Sequence, residues 1–249
     1  METINGEWYM KGCAWNDPGR LKTVQDAAAR IREMGFVPLF SNELPGFSIE
    51  EQTAAERWWS GDDQTDPWTW RQLLAGEPDI FYGKFFGRRA GFIARDWFPV
   101  FANSRRDGYD FDTLCDEGIA PYREQKLMTP FLTDGMPNAT ALFSCDLKAQ
   151  TGFGKGGEKN FEGVLTDLQM KTYLIIGDFR QKLNKRGLPY GWHIARIQTP
   201  EAKLGYDFVA EGYNEPPEAS LQRIIGHLHA QFPNADLQQI QKALGIRKK

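Results

Sequence analysis

The sequence predicts an α+β fold of two tandem winged-helix-like units, at about residues 20–105 and 119–200, followed by a C-terminal helical segment over 201–249. Two observations predict it. Late in each of the first two segments, an amphipathic helix runs into an apolar strand, a turn and a return strand. In each case the apolar period switches from helical to strand-like across a glycine-bearing turn, the order in which a helix and its wing are built.

The elements follow in order. Thr23 suits an N-cap for a helix within residues 21–34, whose Val24, Ala27, Ala28 and Ile31 share one face and which Gly35 closes. Phe36 to Phe40 is apolar and extended, and Pro38 confines it to an edge or an irregular segment. Gly, Asp and Pro cluster over 61–67 as a loop before a short helix holding Trp68, Trp70, Leu73 and Leu74. Ile80 to Phe86 and Gly91 to Ala94, joined by Gly87-Arg-Arg-Ala90, read as a hairpin.

In the second unit, helices are expected over Asp110–Glu117 and over Pro121–Thr133, with Pro121 in a first turn. Asn138 is the expected N-cap of a helix that carries Leu142, Phe143, Cys145 and Leu147 and ends at Gly152. A helix from Glu158 to Lys171 sets Phe161, Val164, Leu165 and Leu168 on one stripe and Lys159, Glu162, Asp167 and Lys171 on the other face. Thr172 to Ile176 is then a buried strand, Asn184 to Pro189 a basic turn with Gly187 free to take positive φ, and Tyr190 to Ile197 the return strand. After Pro216-Pro217, one helix carries Leu221, Ile224, Ile225 and Leu228, and a second carries Leu237, Ile240 and Leu244.

Charge singles out the second hairpin. Between residues 155 and 186 seven cations, Lys155, Lys159, Lys171, Arg180, Lys182, Lys185 and Arg186, face four acids, a local net of +3 in a chain of net −3. Each phosphate neutralised by such a patch releases counterions, so duplex DNA is the partner this pattern implies. A solvated surface hairpin is the competing reading.

The rest of the composition narrows the classes. With 249 residues, 41% hydrophobic and 25% charged, the chain has the makings of one to three small domains. The start has no basic region ahead of an apolar run, and no later segment approaches eighteen apolar residues, so a cytoplasmic protein without membrane contact is expected. Cys13, Cys115 and Cys145 are widely spaced without CxxC, His227 and His229 point to different faces of a helix, and His193 lies in the wing. Neither a metal site nor a cofactor is expected. Gly152-Phe-Gly-Lys-Gly-Gly157 spells GxGxxG, but no apolar strand precedes it and Lys155 is not followed by Ser or Thr, so it reads as a loop ahead of a helix. Trp68, Trp70, Tyr82 and Trp97 form a candidate aromatic pocket that could stack a flipped base, with an aromatic core as the alternative.

The run Tyr82-Gly-Lys-Phe-Phe-Gly-Arg-Arg-Ala-Gly-Phe-Ile-Ala-Arg-Asp-Trp-Phe-Pro99, with Phe161-Glu-Gly-Val-Leu-Thr-Asp-Leu-Gln169 and the wing ending Tyr190-Gly-Trp192, resembles the AlkZ-related branch of the AlkZ/YcaQ proteins over about residues 20–200. The resemblance implies tandem winged helices and kinship with DNA glycosylases that remove alkylated or crosslinked purines. It also implies a QxD or QxQ pair after the first helix, to position water and stabilise developing charge. Here the matching positions are Pro38 and Phe40, and the nearby glutamines are Gln25 and Gln52.

Three readings follow. The first is a DNA-binding relative of the glycosylases without their catalytic pair. The second is an active base-excision enzyme using a displaced acid, with Asp96 or Glu43 as the candidates. The third is a protein-interaction module. The sequence assigns no catalytic residue and no oligomeric state.

Overall fold

The computed structural model describes residues 2–4 and 7–246. The fold is α+β, and the chain divides into two compact units, residues 1–97 with 222–249 and residues 98–221. Residues 201–221 thus lie in the second unit and residues 222–249 in the first.

In the first unit β1 (Glu2–Ile4) pairs with β2 (Glu7–Tyr9). Helix α1 (Val24–Met34) begins at a capping box in which Thr23 and Asp26 each satisfy the other's backbone amide, and it buries Ala27, Ala28, Ile31 and Met34. The strand β3 (Phe36–Pro38) follows at once, then α2 (Pro67–Gly76), β4 (Ile80–Phe86) and β5 (Arg89–Ala94). Strands β3, β5 and β4 pair antiparallel in that order. The tight β4–β5 connection has Gly87 and Arg88 both at positive φ, the geometry of a twisted two-residue hairpin. Pro38 fits because β3 lies beyond β5, where its missing N–H costs the ladder little.

The second unit holds α3 (Phe98–Arg106), α4 (Phe111–Asp116), α5 (Tyr122–Met128), β6 (Leu132–Thr133), β7 (Met136–Pro137), β8 (Leu142–Phe143), α6 (Ser144–Gln150), α7 (Phe161–Met170), β9 (Ile175–Leu183), β10 (Pro189–Gln198), α8 (Pro200–Leu204) and α9 (Tyr206–Ala210). Strands β9, β10 and β8 pair antiparallel in that order. The stripe Phe161, Val164, Leu165 and Leu168 is buried with Leu127, Phe131, Leu147 and Tyr173, while Lys159 stays exposed. This core anchors the base of the β9–β10 hairpin through Ile197, with Ile176 and Ala195 packed against it.

Three expectations change here. The helix begun at Pro121 ends at Met128, because Pro130 cannot continue an α-helix, and the chain turns through Thr129–Phe131 into β6. Asn138 caps no helix. Its side chain closes a turn, accepting from the Thr140 amide and donating to Thr133 Oγ1, and Leu142–Phe143 form a strand ahead of α6. The strand expected at Thr172 begins at Ile175, because Thr172 sits at φ 62° and Tyr173 and Leu174 donate back to the Leu168 carbonyl to end α7.

Helix α10 (Pro217–Gln231) and helix α11 (Leu237–Leu244) complete the chain. Within the first unit His227 lies 4.2 Å from the Trp97 ring, and Phe232 packs edge-on at 5.6 Å to Phe47, which itself lies 6.1 Å from Phe36. The tail therefore covers the aromatic core of its own unit. No helix of the described residues is long and apolar enough to cross a membrane.

Candidate nucleic-acid interface

The β9–β10 hairpin has a fixed base and a free tip. At the base, Arg106 on α3 is 2% exposed and reaches both ends of the hairpin. Its Nη2 donates to the Thr172 carbonyl just before β9 at 2.9 Å, and its Nη1 meets Glu201, just after β10, at 2.7 Å. Burial alone would lower the Arg106 pKa, but the Glu201 carboxylate outweighs it and holds the guanidinium charged. Asp110 joins the network, accepting from Tyr206 Oη at 2.6 Å and Tyr213 Oη at 2.7 Å. That bond to the carboxylate, with burial, pushes the Tyr206 phenol up to about 12. The adjoining cavity holds about 10 Å³, room for one water and far too little for a base.

At the tip the five residues Asn184 to Leu188 close on themselves. The Asn184 side chain accepts from the amides of Arg186 and Leu188, and Gly187 takes φ 76°. Tip side chains are in water, including Leu183, Leu188, Tyr190 and Trp192.

The seven cations separate into two groups. Lys171 donates to both oxygens of the buried Glu124 at 2.7 Å, Arg180 meets Asp178 at 2.8 Å, and Lys182 meets Asp146 at 2.6 Å. The bond to Asp146 raises the Lys182 pKa. Lys155, Lys159, Lys185 and Arg186 are exposed, and among the described residues none of the four is in an ion pair. Uncommitted charge is therefore concentrated in the loop before α7 and at the hairpin tip. Glu124 and Asp146 lie far from their partners in sequence, which is why local counting could not sort the cations.

The glycine loop satisfies itself. The amides of Gly154 and Gly157 donate to Glu158 and Gly154, the Glu158 amide donates to Gly152, and a Cβ at Gly157 would meet the Gly152 carbonyl oxygen at 2.2 Å. With these amides spent, the loop is a tight turn rather than a phosphate cradle.

The aromatic set lies within the first unit. Trp70 and Tyr82 are buried, with Trp70 Nε1 donating to the Gln64 carbonyl at 2.9 Å and the Tyr82 ring 5.0 Å from Phe92. Burial raises the Tyr82 pKa against the opposing pull of its Arg71 partner. Arg71 also lies 3.7 Å over the half-buried Trp68, so Trp68 and Tyr82 share one cation. Trp97 packs on Phe36 and His227 instead.

At the positions of the expected catalytic pair, Pro38 is buried in β3 and Phe40 packs 5.7 Å from Trp58 and 6.5 Å from Trp68. Gln25 is exposed, and Gln52 donates to the Ser48 carbonyl. Glu43 accepts two bonds from Arg89 Nη2 at 2.7 and 2.8 Å, while Asp96 is exposed on a single 3-10 turn. Sequence reasoning passed over Glu50. Its carboxylate is fully buried and accepts from the amides of Lys11 and Ser41 at 2.8 Å, fixing the chain just after β3. Two adjacent acids in a loop read as solvated, and nothing local marks one of them as interior. Among the described residues no group of three or more His, Cys, Asp or Glu is placed to hold a metal.

On an α+β frame the first hairpin is buried, and the second carries exposed cations at its tip. The AlkZ-related family model matches residues 21–245, and the chain belongs to that family. It is thereby related to the AlkZ-type DNA glycosylases. No curated protein and no solved structure matches the chain.

Proposed function

We propose that this protein is a cytoplasmic, DNA-binding relative of the AlkZ-type glycosylases, built on two winged-helix-like units and lacking their catalytic pair. Its second unit makes the main contact with duplex DNA. The observation that carries this reading is the set of exposed, uncommitted cations Lys155, Lys159, Lys185 and Arg186 in a family related to DNA repair enzymes. The ion-paired Lys171, Arg180 and Lys182 flank them and contribute through the field of the segment. The clamp of Arg106 on both ends of the hairpin supports it too, because a probe held rigidly at its base loses little entropy on docking.

Apolar Pro38 and Phe40 support the loss of glycosidic chemistry, since neither side chain polarises water. A titration of duplex DNA at several salt concentrations tests the reading. Reversal of Lys182, Lys185 and Arg186 to Glu together weakens binding and flattens its dependence on salt, by a slope of about 0.9 for each phosphate no longer neutralised. An unchanged slope would reject it.

A further inference from the structure

We propose that the hairpin tip recognises DNA in which a base is unstacked, as at a gap or a bulge, with Trp192 as the stacking residue. The proposal rests on the DNA-binding reading above and adds the kind of DNA preferred. Trp192 is 91% exposed, far beyond the 48% of Trp59 and the 46% of Trp15. An indole held out in water forfeits a large apolar burial, so the local backbone must set it there.

That backbone device is a bulge. The register of β10 on β9 slips between Tyr190 and Ile194, and Gly191 takes φ 74°, which a side chain would strain. Gln181 Nε2 donates to the Gly191 carbonyl at 2.6 Å and holds the bulge against β9. A bulge breaks strand alternation and re-aims the next side chain, here Trp192.

Charge selects the occupant. Arg180 and Arg196 pair with Asp178 and Lys182 pairs with Asp146, while Lys185 and Arg186 at the tip are in no ion pair among the described residues, and from Phe179 to Pro200 the chain has no acid. An added β-strand is disfavoured, because the bulge and Pro189 interrupt the edge of β10. A second copy is disfavoured too, since two cationic tips repel. An anionic polymer with accessible π-faces satisfies both the cations and the ring. In an intact duplex those faces are stacked away, so the cations alone engage it. Where a base is unstacked, the indole gains a partner.

The test compares a short labelled duplex with the same duplex bearing a one-nucleotide gap, at matched salt. The wild type binds the gapped probe about 5- to 150-fold tighter, the range of a single base–aromatic stack, and the probe shields tryptophan emission from iodide. Trp192→Ala abolishes the preference while leaving intact-duplex affinity and its salt slope unchanged. Trp192→Phe keeps part of it, and Gly191→Ala, which retains the indole but disturbs its aim, reduces it. Equal binding of both probes by the wild type, or a preference that survives Trp192→Ala, overturns the proposal and leaves the DNA-binding reading standing. Salt-independent or absent binding to both probes overturns both.

Discussion

The two hairpins have similar outlines and opposite exposure. Along β4 every residue but Lys84 is buried, and β5 is buried from Gly91 onward. Along β9 and β10 burial is confined to the base, at Ile175 and Ile197. The difference lies in what flanks them. The first hairpin is joined by β3 and contacts α1 and α2, so its Phe81, Phe85, Phe86 and Phe92 fill a core. The second is longer, and among the described residues β8 pairs only with Arg196 and Ile197, leaving the distal part of β10 in water. One hairpin is interior, and the other has the form of a probe.

The widest break in this contrast would be chemistry in the interior hairpin. Single-turnover release of alkylated purine from damaged duplex, with protein in excess, is expected to run about 10²- to 10⁴-fold below that of an enzyme with its catalytic group in place. Robust release that survives Pro38→Ala and Phe40→Ala but disappears in Asp96→Asn would move the chemistry to the turn after β5.

Stability sharpens the contrast next. Phe92→Ala is expected to cost about 3–5 kcal/mol in urea unfolding, and Leu165→Ala in α7 about 2–5 kcal/mol. Trp192→Ala should stay within about 0.5 kcal/mol, since the indole packs against little of the folded chain. Comparable losses at Phe92 and Trp192 would mean that the tip is packed after all. At the hairpin base, Glu201→Gln leaves a buried guanidinium short of its closest charge and should cost about 3 kcal/mol, with Asp110 at 3.5 Å limiting the damage.

The smallest effect concerns acid. Burial pushes the Glu43 carboxyl up, but the bonds from Arg89 outweigh it and leave the folded pKa below the usual value. Its stabilisation is therefore present above the unfolded pKa of about 4.3 and is lost as pH falls through the lower folded value. With both side chains more than a third exposed, Glu43→Gln should cost less than about 1 kcal/mol at pH 7 and nothing once the carboxyl is protonated in both the folded and the unfolded chain. Thermal melts between pH 2 and 7 check the sign, and a loss that grows towards low pH would contradict it.

The sequence by itself determined the local elements whose signals lie within a few residues. Thr23 announces α1, the spacing of Phe161 to Leu168 sets the buried face of α7, and glycines at 87 and 187 mark both hairpin turns. It also carried the family, through apolar and glycine positions spread along the chain. Tertiary structure alone decided which charges are committed, because Glu124 finds Lys171 and Asp146 finds Lys182 across long stretches of chain. It decided that Glu50 is interior and that Arg106 spans the hairpin base. It also decided that Trp192 stands in water while Trp70 is enclosed. Period and capping are short-range properties of a chain, whereas exposure and ion pairing depend on which distant segments arrive beside a residue, and a tryptophan in the sequence is the same letter in either place.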